Sequence, residues 1–132
     1  MYKKIKAFTL VELMVVLAIV GILVLLALPN LMPLITRTKS LEAKIHLEHI
    51  YNLQKSYYYI HSRYTDDLKA LGYEEGPSIK EGGNANYQVE IITLEERGYV
   101  AQALSYIDFD GDGQYNTWTI NQDKKLIEVI SD

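Results

Sequence analysis

"KAFTLVELMVVLAIVGILVLLALPN", residues 6–30, decides how this chain is organised: it is apolar for longer than a soluble core requires, yet it carries one carboxylate, Glu12, near its start. Residues 8–28 are 21 positions with that single charge. As a helix rising about 1.5 Å per residue they span roughly 31 Å, the thickness of a bilayer core. Lys3, Lys4 and Lys6 precede the run with no acid beside them, which holds the N-terminus on the cytoplasmic side and sends the rest outward. A cleaved signal peptide would have an apolar region of only about 7–15 residues and a small-residue cleavage site. Here the run is longer and ends "LLALPN", with Pro29 in place of an A-x-A site. A plain membrane anchor explains everything except Glu12. A carboxylate in hydrocarbon is costly unless it is paired or lies near the interface, and one turn from the helix end Glu12 could reach the headgroups.

Beyond this run, 132 residues suffice for one small domain and an appendage. Formal net charge is −4, and setting aside the three N-terminal lysines leaves 10 basic against 17 acidic residues, formally −7. An acidic body of that kind repels phosphate, so nucleic acid is not the expected partner of the bulk surface. With no cysteine there is no disulfide framework, thiolate metal site or thiol nucleophile.

Pro29 and Pro33 predict a kink or a melted turn at residues 28–32. Helix resumes beyond them, because Leu47, Ile50, Tyr57, Ile60 and Tyr64 recur at spacings of three, four or seven while Lys44, Glu48, Lys55 and Ser62 take other faces. "YTDDLKALGY" predicts a brief second helix capped by Thr65 and stopped at Gly72. A loop follows at 74–86. Runs at 87–94, 98–106, 115–120 and 125–130 read as strands, and the short turns between them suggest an antiparallel meander.

The opening stretch resembles the leader and N-terminal segment of type IV pilins and of the related pseudopilins of type II secretion. The resemblance extends more weakly through "EAKIHLEHIYNLQKSYYYIHSRYTDDLKALGY" and "YVAQALSYIDFDGDGQYNTWTINQDKKL". It implies an α+β, pilin-like roll in which a long N-terminal transmembrane helix packs on a four-stranded antiparallel sheet. It divides the chain into a cleaved basic leader (1–7), a filament-core helix half (8–35) and an extracellular globular domain (36–132). In that family a prepilin peptidase cuts before the apolar run and the new N-terminus is methylated. Carried over, the cut falls between Ala7, where the family usually has glycine, and Phe8, which becomes N-methyl-Phe8. Glu12 is then the buried acid that meets the Phe8 amine of a neighbouring subunit, and Pro29 is the proline past which the helix continues. Two opposite charges in a dry helix bundle attract strongly and fix axial register, whereas either alone is penalised.

The implied partners are other copies in a helical filament, the prepilin peptidase, an inner-membrane assembly platform and, before assembly, the membrane. The implied location is the inner membrane as precursor, then an extracellular pilus or a periplasmic pseudopilus, in the service of adhesion, motility or secretion. A pilus subunit is favoured over a pseudopilin by the lack of the tryptophan-glycine-proline patch usual in major pseudopilins. A minor pilin and a tethered binding module that never polymerises are the other readings.

Asp108, Asp110 and Asp112 in "DFDGDGQYNTWT" alternate as in the first half of a calcium loop, with Gly113 at the sharp turn, Gln114 offering a carbonyl and Asn116 reaching through water. Thr119 stands where a bidentate Glu is expected, so the site needs completion from elsewhere, for example by Asp123. A solvated acidic turn would use the same residues. Calcium is the one candidate cofactor, and none is required. Glu42, His46 and His49 have metal-ligand spacing, although a wet helix face has it equally. The eleven tyrosines suit half-buried packing better than electron conduction, and Trp118 suits the core. No catalytic motif is present, so a structural protein is expected in place of an enzyme.

Overall fold

The computed structural model describes residues 7–132, and at residues 29–32 the backbone alone. Leader residues 1–6, with their lysines, lie outside the described residues. Helix α1 spans Leu10–His61 and is followed by four strands, β1 (Tyr87–Glu95), β2 (Gly98–Ser105), β3 (Thr117–Asn121) and β4 (Leu126–Ile130). They form one antiparallel sheet in the order β1-β2-β3-β4. The α+β, pilin-like arrangement and the meander are as the sequence implied. The expected melted turn is not: α1 stays helical through positions 29 and 33. Each proline removes one backbone bond, and the unbroken helix on both sides carries the chain across.

Two compact units divide the chain, one ending at Leu34 and one comprising Ile35–Asp132. In the first, α1 is apolar on nearly every side and exposed on every side: Leu10 is 76% accessible and Leu25 72%. A helix hydrophobic all round belongs in a membrane or in a bundle.

In the second unit α1 becomes amphipathic. Ser40, Ala43, Leu47, Ile50 and Gln54 are buried at alternating steps of three and four, the stripe that faces a core. The same core contains Tyr87 and Val89 of β1, Tyr99, Ala101 and Ala103 of β2, and Ile120 of β3. Ala43, Ala101 and Ala103 are fully buried within it. Each fully buried Leu or Ile contributes about 1.5–3 kcal/mol. The stripe ends earlier than the sequence suggested, for Ile60 is 76% exposed. The fully buried Gln54 takes over there: its Nε2 donates to the Thr65 carbonyl at 2.6 Å and its Oε1 accepts from the Thr65 amide at 3.3 Å, fastening the returning chain.

The expected helix at 65–72 is a series of turns. Thr65 does not cap a helix; Asp67 does the capping work, its Oδ1 accepting from the amides of Lys69 and Ala70 at 2.9 and 3.2 Å. The Tyr73 amide then bonds back to the Leu68 carbonyl, which closes the segment after little more than one turn. β1 carries a bulge between Ile91 and Thr93, after which its residues are exposed. Trp118 is only partly buried, and Lys44 Nζ lies 4.3 Å from its ring centroid.

Candidate functional site

Ala7, Phe8 and Thr9 precede the first helical residue and are exposed. The Ala7–Phe8 peptide bond therefore lies in non-helical, accessible chain, the form a protease requires. Thr9 is the N-cap of α1 and Glu12 the third helical residue. The Thr9 amide donates to Glu12 Oε2 at 2.8 Å, the Thr9 hydroxyl donates to the same oxygen at 3.0 Å, and the Glu12 amide donates to Thr9 Oγ1 at 3.3 Å. This reciprocal pair is a capping box, T-x-x-E, satisfying donors that a helix start leaves orphaned. The sequence carried that signal and the reading above missed it. Glu12 thus has a local partner within its own chain. Both bonds to its side chain fall on Oε2, and a carboxylate has about four lone-pair sites, so Oε1 can accept from a further donor. Pro29 lies in the continuous helix, and its side chain is outside the described residues.

The acidic turn at 108–113 is built on backbone amides. Asp108 accepts from the amides of Gly111 and Gly113, and both glycines sit in the left-handed region at φ 83° and 87°, which a side chain would strain. The Gly113 amide, helped by those of Gly111, Asp112 and Asp110, holds the Asp108 carboxyl below its ordinary value against partial desolvation. For Asp110 the Asp112 amide pulls the same way, but desolvation and the charges of Asp112, Asp132 and Asp108 outweigh it and push the carboxyl up. Oxygens of Asp108, Asp110 and Asp132 lie within 4.8 Å of one another, close enough for one cation.

Not all of the sequence candidates meet there. Asp112 is engaged by Gln114, whose amide and Nε2 donate to its two oxygens at 2.7 and 3.1 Å. Asn116 is elsewhere altogether: fully buried, its Oδ1 accepts from the Tyr87 hydroxyl at 2.7 Å and from Trp118 Nε1 at 2.8 Å, while its Nδ2 donates to Glu128 Oε1 and the Ile130 carbonyl. It is a core hub and reaches no water. Asp123 stays with its own turn, its Oδ2 accepting from Gln122 Nε2 and its amide donating to Asn121 Oδ1. Asp132 stands in its place, accepting from the amides of Phe109 and Asp110 at 2.8 and 3.0 Å. Only the return of β4 brings Asp132 there, so no local pattern could have found it.

Glu42, His46 and His49 have other work. Glu42 accepts from the Asn86 amide and Nδ2 at 2.7 and 2.6 Å, His46 Nδ1 shares a 2.9 Å hydrogen bond with the Tyr73 hydroxyl, and the His49 ring lies 5.9 Å from that of Tyr73. Burial, with the charges of Glu75 and Glu42, pushes the Tyr73 phenol up to about 12. Tyr87 is likewise pushed to about 12 by burial, against an opposing pull from the neighbouring Ser40 hydroxyl.

Residues 2–28 match the family model of the prokaryotic N-terminal methylation motif. The chain is also similar to the type IV major pilin protein PilA of Myxococcus xanthus (strain DK1622), 43% identical over 68 residues. That match covers 52% of this chain and 31% of the relative, so it spans about a third of the relative's own length.

Proposed function

Taking the chain as a type IV pilin-like protein that carries the N-terminal methylation motif, we propose that it is the structural subunit of a type IV pilus-like filament. The observation that carries this reading is the helix beginning at Leu10: apolar and exposed all round through residue 28, with Glu12 as its single charge. Such a surface has to be covered by lipid before assembly and by other copies after it.

In this reading the precursor sits in the inner membrane, residues 1–7 are removed by a prepilin peptidase, and Phe8 becomes an N-methylated cation. Residues 8–35 pack in the filament core and residues 36–132 form its surface. An inner-membrane platform drives the assembly, and no catalysis by the chain itself is involved. The Phe8 amine of one copy donates to the Glu12 carboxylate of the next, while Thr9 continues to hold the other side of that carboxylate. Thr9 is a positioning residue and Glu12 the register residue. Glu12→Ala should therefore insert into membrane normally yet give few or no filaments, whereas Thr9→Val, with the acid intact, should still assemble. Electron microscopy of sheared filaments and membrane fractionation read the two steps separately. Abundant filaments from Glu12→Ala would defeat the register role, and loss in both variants would place the function in the helix cap.

We also propose calcium as a ligand of the acidic turn, held by Asp108 and Asp110 with Asp132 and without Asn116. The support is the convergence of those three carboxylates.

A further inference from the structure

Five tyrosines left without a role by polymerisation gather in one place. Tyr51, Tyr58, Tyr59, Tyr64 and Tyr99 line a pocket of about 210 Å³ together with Lys55 and Gln122. Tyr58 and Tyr64 stack with centroids 4.8 Å apart at 27°, and Tyr64 meets Tyr99 at 5.0 Å and 57°. At those separations the rings touch one another and leave no slot between them. Tyr99 is 2% exposed, and its hydroxyl is buried with no hydrogen-bond partner among the described residues, a condition that calls for an explanation. Two ammonium groups lie near Tyr51: that of Lys55, which lines the pocket, 6.0 Å from the ring centroid, and that of Lys124, outside the lining, 5.8 Å from it. Against them stands Asp123, whose carboxylate is occupied by Gln122 Nε2.

Lys124 reaches this position at a cost. Its φ is 60°, the left-handed region that glycine or asparagine normally fills, in a turn closed by its amide on the Asn121 carbonyl. A lysine in that backbone is unfavourable for the turn alone, and what it adds is a cation beside the Tyr51 ring.

We propose that this pocket binds one carboxylate-bearing pyranose ring, a hexuronic acid residue of an acidic polysaccharide. Tyrosine faces pack against the C–H faces of a sugar while phenol and amide groups meet its hydroxyls. The Lys55 ammonium in the lining, with Lys124 beyond Tyr51, suits a carboxylate and disfavours a cation. With no slot between these rings, a planar base cannot stack between them, and a ring-shaped ligand packs on their outer faces. All of these residues belong to the unit Ile35–Asp132, so the proposal stands whether or not the chain polymerises.

The test is titration calorimetry of the full chain in a zwitterionic detergent free of sugar headgroups, with trigalacturonate as ligand and maltotriose as its neutral counterpart. Trigalacturonate should bind, and maltotriose should bind at least about tenfold more weakly, the equivalent of one charge-assisted contact. Lys124→Gly and Tyr99→Phe should each weaken trigalacturonate several-fold without lowering Tm, because glycine relieves the turn and phenylalanine removes an unpaired hydroxyl. A residue serving structure alone would lower Tm and leave affinity unchanged. The proposal is overturned if trigalacturonate does not bind, if maltotriose binds equally, or if both variants bind like the parent. It is also overturned if a thymidine oligonucleotide binds in place of the sugar, which would make the pocket a base-stacking site.

Discussion

Two polar residues, Glu12 and Asn116, show how far sequence spacing can specify a role. Glu12 stood out because a charge in an apolar run is conspicuous, and its neighbour Thr9 completes a reciprocal cap three residues away. That much was available in the sequence, since T-x-x-E is a local pattern. Asn116 was misread for the opposite reason. It follows an Asp-Gly turn and looks like part of it, but its side chain meets partners from α1, β1, β3 and β4. Asn116→Ala should leave the Tyr87 and Trp118 donors without their acceptor. A loss of about 2–4 kcal/mol is expected from such orphaned buried groups, read as a lower Tm in near-ultraviolet circular dichroism of the full chain in micelles. An unchanged Tm would mean that water replaces the amide.

At the scale of elements, periodicity performed well where one face is buried and poorly where side chains compete with backbone. The four strands were legible within one or two residues at each end, because β-branched and aromatic runs bounded by turns have few alternatives. The segment 65–72 was not, because Asp67 bonds two amides ahead of it and turns the chain as readily as it caps a helix. The acidic turn shows both outcomes at once: its Asp-Gly pattern was visible, while Asp132 was delivered by the sheet. If the turn takes calcium, adding calcium at about 100 times its Kd should raise the Tm of the full chain by several degrees, and chelation should reverse this. Asp110→Ala should abolish the shift. An identical Tm in calcium and chelator would remove calcium from the turn and leave it a solvated connection.

For the whole molecule, the tyrosine core imposes a pH limit. Tyr73 and Tyr87 hold their protons up to about pH 12 because burial opposes the phenolate, whereas in the unfolded chain they ionise near the ordinary value of about 10. Between those values the native state binds more protons than the unfolded one, so stability is intact below pH 10 and falls as pH rises toward 12. Alkaline titration should show cooperative unfolding in that window, with Tyr87→Phe moving its onset upward; a Tm that is flat from pH 9 to 12 would contradict the burial argument.

The contrast between the apolar run at 8–28 and the acidic remainder was plain from composition. The pocket shared by Tyr51, Tyr64 and Tyr99 was not, since residues so far apart in sequence meet only when β2 folds against the helix.

The filament reading turns on the Ala7–Phe8 bond, and intact mass with N-terminal sequencing of the chain recovered from sheared cell-surface material examines it directly. The expected result is a chain that begins at N-methylated Phe8 and is abundant in the sheared fraction. A chain still beginning at Met1, or one confined to the membrane, would contradict the filament and leave Glu12 with the capping box as its only partner.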